Sequence, residues 1–289
     1  MEYSIEELLK MAIGQRASDL HITAELLPQV RIDGRLRSLD FEPLTSLECQ
    51  RLIFGILSVR QIDNFESRLE IVLSYGITGM GRFRVNVYRQ RGSVGAALRV
   101  IPTVIPSFEE LNLPMVLREL ADRNSGLILV TGPTGCGKTT TLAAMIDHIN
   151  RTREGHVITL EDPIEYLHKH GRCMVNQREI GSDSSDFATA LRSALREDPD
   201  VVLVGEMRDL ETISTTLTIA ETGHLVLGTL HTRNAPQSID RIIDVFPPHQ
   251  QEQIRVLLAG TLEAVIAQHL LPTFGNMGRV PAAEVLVVN

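Results

Sequence analysis

Hydrophobic positions along the 289 residues follow two regimes that change near residue 100. Before it the patterns are short and mixed. Ile5, Leu8, Leu9 and Ala12 have helical spacing behind a Ser4 cap. Asp19 to Thr23 alternates like a strand, and Gln29 to Arg37 predicts a hairpin whose Asp33-Gly34 turn suits type I′ geometry. A helix is predicted over 46–60, with strands over 69–76 and 81–89. Two prolines within 101–106 predict a linker, and a helix over 108–122 leads onward. Beyond it, nearly all-apolar strands at 126–130, 157–160, 201–204 and 225–230 alternate with helices at 138–149, 186–197, 209–221 and 249–270. Such strands need cover on both faces, which predicts a parallel α/β sheet. The expected organisation is a small α+β domain over 1–100, a linker and helix over 101–122, and an α/β domain over 123–289.

Composition narrows the classes. A 43% hydrophobic share over this length suffices for two cores. The net charge of -8 argues against a nucleic-acid binder, which carries a basic footprint. Cys49, Cys136 and Cys173 are scattered, so neither a disulfide framework nor a cysteine zinc site is expected. The acidic N-terminus is not a signal peptide, and no apolar run approaches a membrane span, so a cytoplasmic location is expected.

The run Gly126 to Val130 leads into Gly132, Pro133, Thr134, Gly135, Cys136, Gly137, Lys138 and Thr139, then Thr140 and a helical stretch. This is G-x-x-x-x-G-K-T between a strand and a helix, the phosphate-binding loop pattern. Glycines let backbone N–H groups close around a phosphate, and the helix N-terminus adds unpaired donors. Lys138 is expected to reach the β- and γ-phosphates and Thr139 to ligate Mg²⁺, with 132–139 and Thr140 together as the expected nucleotide-binding residues. The ligands expected are therefore ATP, as substrate, and Mg²⁺.

In a parallel sheet the strand C-terminal ends share one edge, where ligands bind. The first strand exits into the phosphate loop, the second into Glu161, Asp162 and Glu165, the third into Glu206, and the fourth into His231. Asp198 and Asp200 precede the third strand, which puts them at the wrong end. Glu206 is the expected carboxylate toward Mg²⁺. His224 and His231 bracket one strand, roughly 23 Å apart when extended, so His231 is the one expected to sense the γ-phosphate. An attacking water needs an orienting acceptor. Glu161, Asp162 and Glu165 are the candidates, and Glu165 is preferred because a helical turn after Pro163 would return it over the site. In the first domain Phe83, Val85 and Val87 share one strand face, leaving Arg82 and Arg84 on the other. An arginine finger presented to a neighbouring subunit's nucleotide accounts for them.

Four stretches carry a family resemblance: Glu161 to Tyr166, Leu195 to Asp209, Thr222 to Thr232 and Ala17 to His21. They resemble the aspartate box, the atypical Walker B, the histidine box and an N-terminal motif of the secretion ATPases that drive type II secretion and type IV pili. Within that family the chain looks most like the pilus-retraction branch, because it has neither the longer N-terminal region nor the tetracysteine insert of extension and secretion members. The resemblance implies a RecA-like (AAA+-like) P-loop ATPase core behind a PAS-like N-terminal domain. It also implies a homohexamer and an inner-membrane pilus platform as partner, with the membrane reached only through that machine. Retraction members continue beyond the region matching Ala282 to Leu286, whereas this sequence ends at Asn289, so a shorter C-terminal region is expected. The alternatives are an extension or secretion motor, or a regulatory nucleotide-binding subunit with little turnover.

Overall fold

The computed structural model describes residues 3–102, 104–274 and 278–288; Thr103 of the expected linker and the terminal Asn289 lie outside them. The chain divides into two units, Met1–Thr103 and Val104–Asn289.

The first unit begins with α1 (Ile5–Gly14), started by a capping box in which Ser4 and Glu7 satisfy each other's backbone N–H groups. Strands β1 (Asp19–Ile22), β2 (Gln29–Ile32), β3 (Arg35–Ser38), β4 (Glu70–Ile77), β5 (Gly81–Gln90) and β6 (Ser93–Ile101) form one antiparallel sheet in the order β3-β2-β1-β6-β5-β4. The β2–β3 turn has positive φ at Asp33 and Gly34, as type I′ requires. The helix expected over 46–60 is two helices, α2 (Ser46–Phe54) and α3 (Val59–Arg68). A further capping box, Ser58 with Gln61, starts a new helix where apolar spacing alone continues the old one. β6 escaped the sequence reading altogether. On β5 the expected alternation holds: Phe83, Val85 and Val87 are fully buried, and Arg82 and Arg84 lie half-buried on the other face.

In the second unit, the helix expected over 108–122 is only α4 (Val116–Ala121). Asn112 has a positive φ, and Pro114 disfavours helix at the residue before it, so 107–113 makes turns instead. This segment is core rather than tether, since Phe108, Leu113, Leu117 and Leu120 are buried with Ile128 and Ile146.

The main sheet comprises β7 (Gly126–Thr131), β8 (Gly155–Glu161), β9 (Cys173–Glu179), β10 (Val201–Val204), β11 (Leu225–Leu230), β12 (Leu262–Pro272) and β13 (Arg279–Val287). Its order is β13-β12-β7-β11-β10-β8-β9, parallel except for β13. Alternate residues feed two cores. Leu127, Leu129, Ile158, Val202 and Val226 face α6 (Phe187–Ala194), α7 (Leu210–Glu221), α8 (Ala235–Asp244) and α9 (Pro248–Thr261). Ile128, Val130, Val157, Leu203 and Leu227 face α4 and α5 (Lys138–Thr152).

The helix expected over 249–270 ends at Thr261, and the chain continues as β12. Leu262 to Gln268 is apolar enough to be either element, and pairing with β7 settles it as strand. Among the described residues no helix is long and apolar enough to cross a membrane.

Candidate functional site

Strands β8, β10, β11 and β7 are neighbours and parallel, so their C-terminal ends form one continuous rim. The phosphate loop leaves β7 there. Gly132, Gly135 and Gly137 all have positive φ, and a Cβ on Gly132 would lie 2.3 Å from the Gln268 carbonyl oxygen. The backbone is thus bent in a way side chains would block. Lys138 Nζ donates to the carbonyls of Gly132 at 2.8 Å and Pro133 at 3.2 Å, which curls the ammonium over its own loop. Pro133, Thr134 and Gly135 are exposed along the loop's outer edge, whereas Cys136 is buried beneath it.

Beside the loop is a cleft lined by Thr139, Glu161, Asp162, Glu165, Tyr166 and Glu206. The cleft is built from the second unit alone. The expected phosphate, metal and water-orienting groups therefore converge. Glu206 Oε1 accepts from His231 Nε2 at 2.9 Å and from the Arg208 side chain. Burial acts to raise the Glu206 carboxyl, but Arg208 and His231 outweigh it and hold it below the ordinary carboxylate range. Arg208 was not foreseen, although it stands two residues beyond Glu206.

Glu161 differs from its neighbours. It is 7% exposed, and burial pushes its carboxyl up even though Thr159 Oγ1 donates to it at 2.6 Å and Gln177 Nε2 at 3.1 Å. Buried and already accepting from Thr159 and Gln177, Glu161 is less open to an incoming water than the exposed Glu165.

Glu165 is exposed at the cleft, but no helical turn returns it there as expected. Residues 162–172 contain neither helix nor strand, and β9 holds them in place. Ile164 N donates to Glu179 Oε2 at 3.1 Å, His168 N to Gln177 Oε1 at 2.8 Å, and Gln177 Nε2 to the Tyr166 carbonyl at 2.8 Å. The Tyr166 hydroxyl meets Thr140 Oγ1 at 3.1 Å, linking this segment to α5. Gln177 and Glu179 were missed because β9 was missed; their only sequence signal is the alternating run from Cys173.

At the far ends of the strands, Asp200 Oδ2 accepts from His156 N at 2.7 Å, and His224 Nδ1 lies 3.1 Å from Thr222 Oγ1. These contacts give both residues local partners away from the rim. Arg82 and Arg84 belong to the first unit, where Arg84 pairs in register with Ser74 and Arg99.

The residues suit a nucleotide with Mg²⁺. Among the described residues no group of three or more His, Cys, Asp or Glu side chains could hold a metal by itself. A hydroxyl and one carboxylate at a phosphate cradle are the donors Mg²⁺ uses when phosphates and waters complete its shell.

Residues 1–284 match the family model described as type II/IV secretion system protein. The type IV pilus retraction ATPase PilT of Pseudomonas aeruginosa is 49% identical over 283 residues, 98% of this chain and 82% of that protein. A twitching motility protein of Neisseria gonorrhoeae is 44% identical, covering 99% of this chain and 77% of the relative. A crystal structure of the pilus retraction motor PilT with bound ADP superposes with a TM-score of 0.94 at 54% identity, covering 100% of this chain and 84% of that one. With its phosphate loop, carboxylates and histidine at one rim, this chain belongs to the type II/IV secretion system protein family.

Proposed function

We propose that this chain is a Mg²⁺-dependent ATPase that works as a ring and powers type IV pilus retraction. The observation that carries the reading is the meeting of Thr139, Glu165 and Glu206 in one cleft beside the phosphate loop. The likeness to relatives named for retraction and twitching supports the direction of work. The antiparallel sheet with helices inserted between β3 and β4 supports a PAS-like first unit beside a RecA-like core.

In this reading Lys138 leaves the carbonyls of Gly132 and Pro133 for the phosphate oxygens. Mg²⁺, held there by the Thr139 hydroxyl and the Glu206 carboxylate, would supply neutralisation of the phosphate charge. Glu165, open to solvent at the cleft, orients the attacking water and takes its proton. His231, bonded to Glu206, couples occupancy of the γ-phosphate position to that carboxylate. Arg82 or Arg84 reaches the nucleotide from a first unit, and closure on the 101–106 linker turns hydrolysis into movement. Work on the pilus passes through an inner-membrane platform protein, which keeps the motor cytoplasmic.

The test is specific ATPase rate against protein concentration, for wild type, Lys138→Ala and Glu165→Gln. The wild-type rate should rise with concentration and vanish in Lys138→Ala. Glu165→Gln should keep ATP binding while losing about 100-fold or more in turnover. Full turnover in Glu165→Gln would remove that residue's role. A concentration-independent wild-type rate would remove the ring and the arginines supplied by another subunit.

A further inference from the structure

Behind the phosphate loop lies a buried side chain that none of the motifs contains. Gln268, on β12, is 2% exposed and sits just past the last residue pair joining β12 to β7, Ala267 with Thr131. Both ends of its amide are engaged. Nε2 donates to the Cys136 carbonyl at 2.7 Å, and Oε1 accepts from Thr141 Oγ1 at 2.7 Å. Thr141 is itself buried in α5, so the amide can neither rotate nor drift. The packing is close as well: a Cβ on Gly137 would lie 2.8 Å from Gln268 Nε2.

The consequence follows from the peptide unit. The Cys136–Gly137 bond is trans, so the Cys136 C=O and the Gly137 N–H point in opposite directions across one rigid plane. Holding the carbonyl against Gln268 turns the Gly137 N–H the opposite way, away from the Gln268 amide. Gly137 has φ +92° and no Cβ, so its backbone resists a flip weakly by itself. A flipped plane would present a carbonyl oxygen where an anion is to bind. The Thr141 hydroxyl matters for the same reason, because it fixes which end of the amide faces the loop: with Thr141 donating, only the NH₂ end is left for Cys136.

We propose that Gln268 is a positioning residue for phosphate binding, fixing the 136–137 peptide so that its N–H serves the anion. The inference rests on the reading of residues 132–139 as a phosphate cradle. Gln268→Glu keeps the shape and the acceptor for Thr141 but sets a carboxylate against the Cys136 carbonyl. Thr141→Val keeps the shape and removes the orienting hydroxyl.

The experiment is calorimetric titration of ADP and of AMP into the full chain and both variants. AMP lacks the β-phosphate that such a loop encloses, so it reports the remainder of the nucleotide site. Gln268→Glu should weaken ADP by about 10- to 100-fold and Thr141→Val by about 3- to 10-fold, the range expected for loss of a buried hydrogen bond. AMP should change by less than about threefold in either, since its contacts do not pass through this peptide. Equal weakening of ADP and AMP would mean general loosening of the fold and would overturn the inference, as would unchanged ADP binding in both variants. Should Gln268→Glu fail to fold, Thr141→Val decides alone. A wild type that binds ADP no better than AMP would overturn the cradle reading and this inference together.

Discussion

The phosphate loop leaves β7 and turns directly into α5, so its functional groups all fall within residues 132–139. The segment leaving β8 runs from Asp162 to Arg172 with no regular structure before β9 begins. The first loop takes its backbone directions from glycines and a helix start, with a hydrogen bond from Gln268 as outside support. The second presents one side chain, Glu165, and depends on hydrogen bonds with residues 9 to 15 positions further along, as between Ile164 and Glu179 or between His168 and Gln177. A contiguous motif carries its geometry with it. The loop carrying Glu165, the carboxylate proposed above to orient water, borrows its geometry from a neighbouring strand. The first therefore resists change outside its motif except at one amide, and the second is sensitive along β9.

The largest effect that sharpens this contrast should come from Gln177→Leu. The substitution strands the His168 N–H and the Tyr166 carbonyl and removes a donor from Glu161. Misplacing Glu165 by about an ångström should lower ATP turnover by about 10- to 100-fold. ADP affinity should stay within about threefold of wild type, because the phosphate loop does not use this amide. Steady-state turnover with calorimetric ADP binding makes the check. If affinity and turnover fall together, the two loops are one unit and the contrast is wrong.

The same contrast explains what could be read in advance. The rim positions of the phosphate loop, Glu206 and His231 were legible because each follows an apolar strand directly, and an apolar run of four to six residues is hard to misplace. The place of Glu165 at the cleft was legible but not the structure that holds it, since the tether lies on β9, a polar-faced edge strand. Gln268 was invisible for another reason. It stands in Leu262 to Gln268, where the apolar pattern fits a helix as well as a strand, and only pairing with β7 turns it toward the loop. The break between α2 and α3 depended on a capping box placed inside an apolar rhythm. In each case a local signal was present, but the deciding contact was distant in sequence.

A second, smaller effect concerns pH. His168 is held on the second loop by its backbone, and burial pushes its imidazole down to about 4. Its Nδ1 has no hydrogen-bond partner among the described residues. In the unfolded chain the group titrates near 6.5, so between 6.5 and 4 the unfolded state binds more protons and stability falls as pH falls. Wild type should be about 2 kcal/mol less stable at pH 5 than at pH 7.5 from this group, and His168→Leu should remove most of that difference. Urea midpoints at the two pH values measure it. An unchanged pH dependence in the variant would show that the second loop opens to water.

The smallest effect is expected where the two loops touch. The Tyr166 hydroxyl and Thr140 Oγ1, 3.1 Å apart, give a side-chain link between the carboxylate-bearing segment and the helix that follows the phosphate loop. Tyr166→Phe keeps the ring and removes only this link. A partly exposed neutral hydrogen bond contributes about 0.5–1.5 kcal/mol, and the Thr140 hydroxyl left behind can turn to water. Turnover should therefore fall by less than about threefold, since Gln177 and Glu179 still hold the loop. A loss comparable to that of Gln177→Leu would mean that Glu165 is positioned from the nucleotide side, so that filling the phosphate loop itself organises the carboxylate. The ratio of the two variants' turnover thus tells whether β9 or α5 aims Glu165, and the hydrogen bonds assign that role to β9.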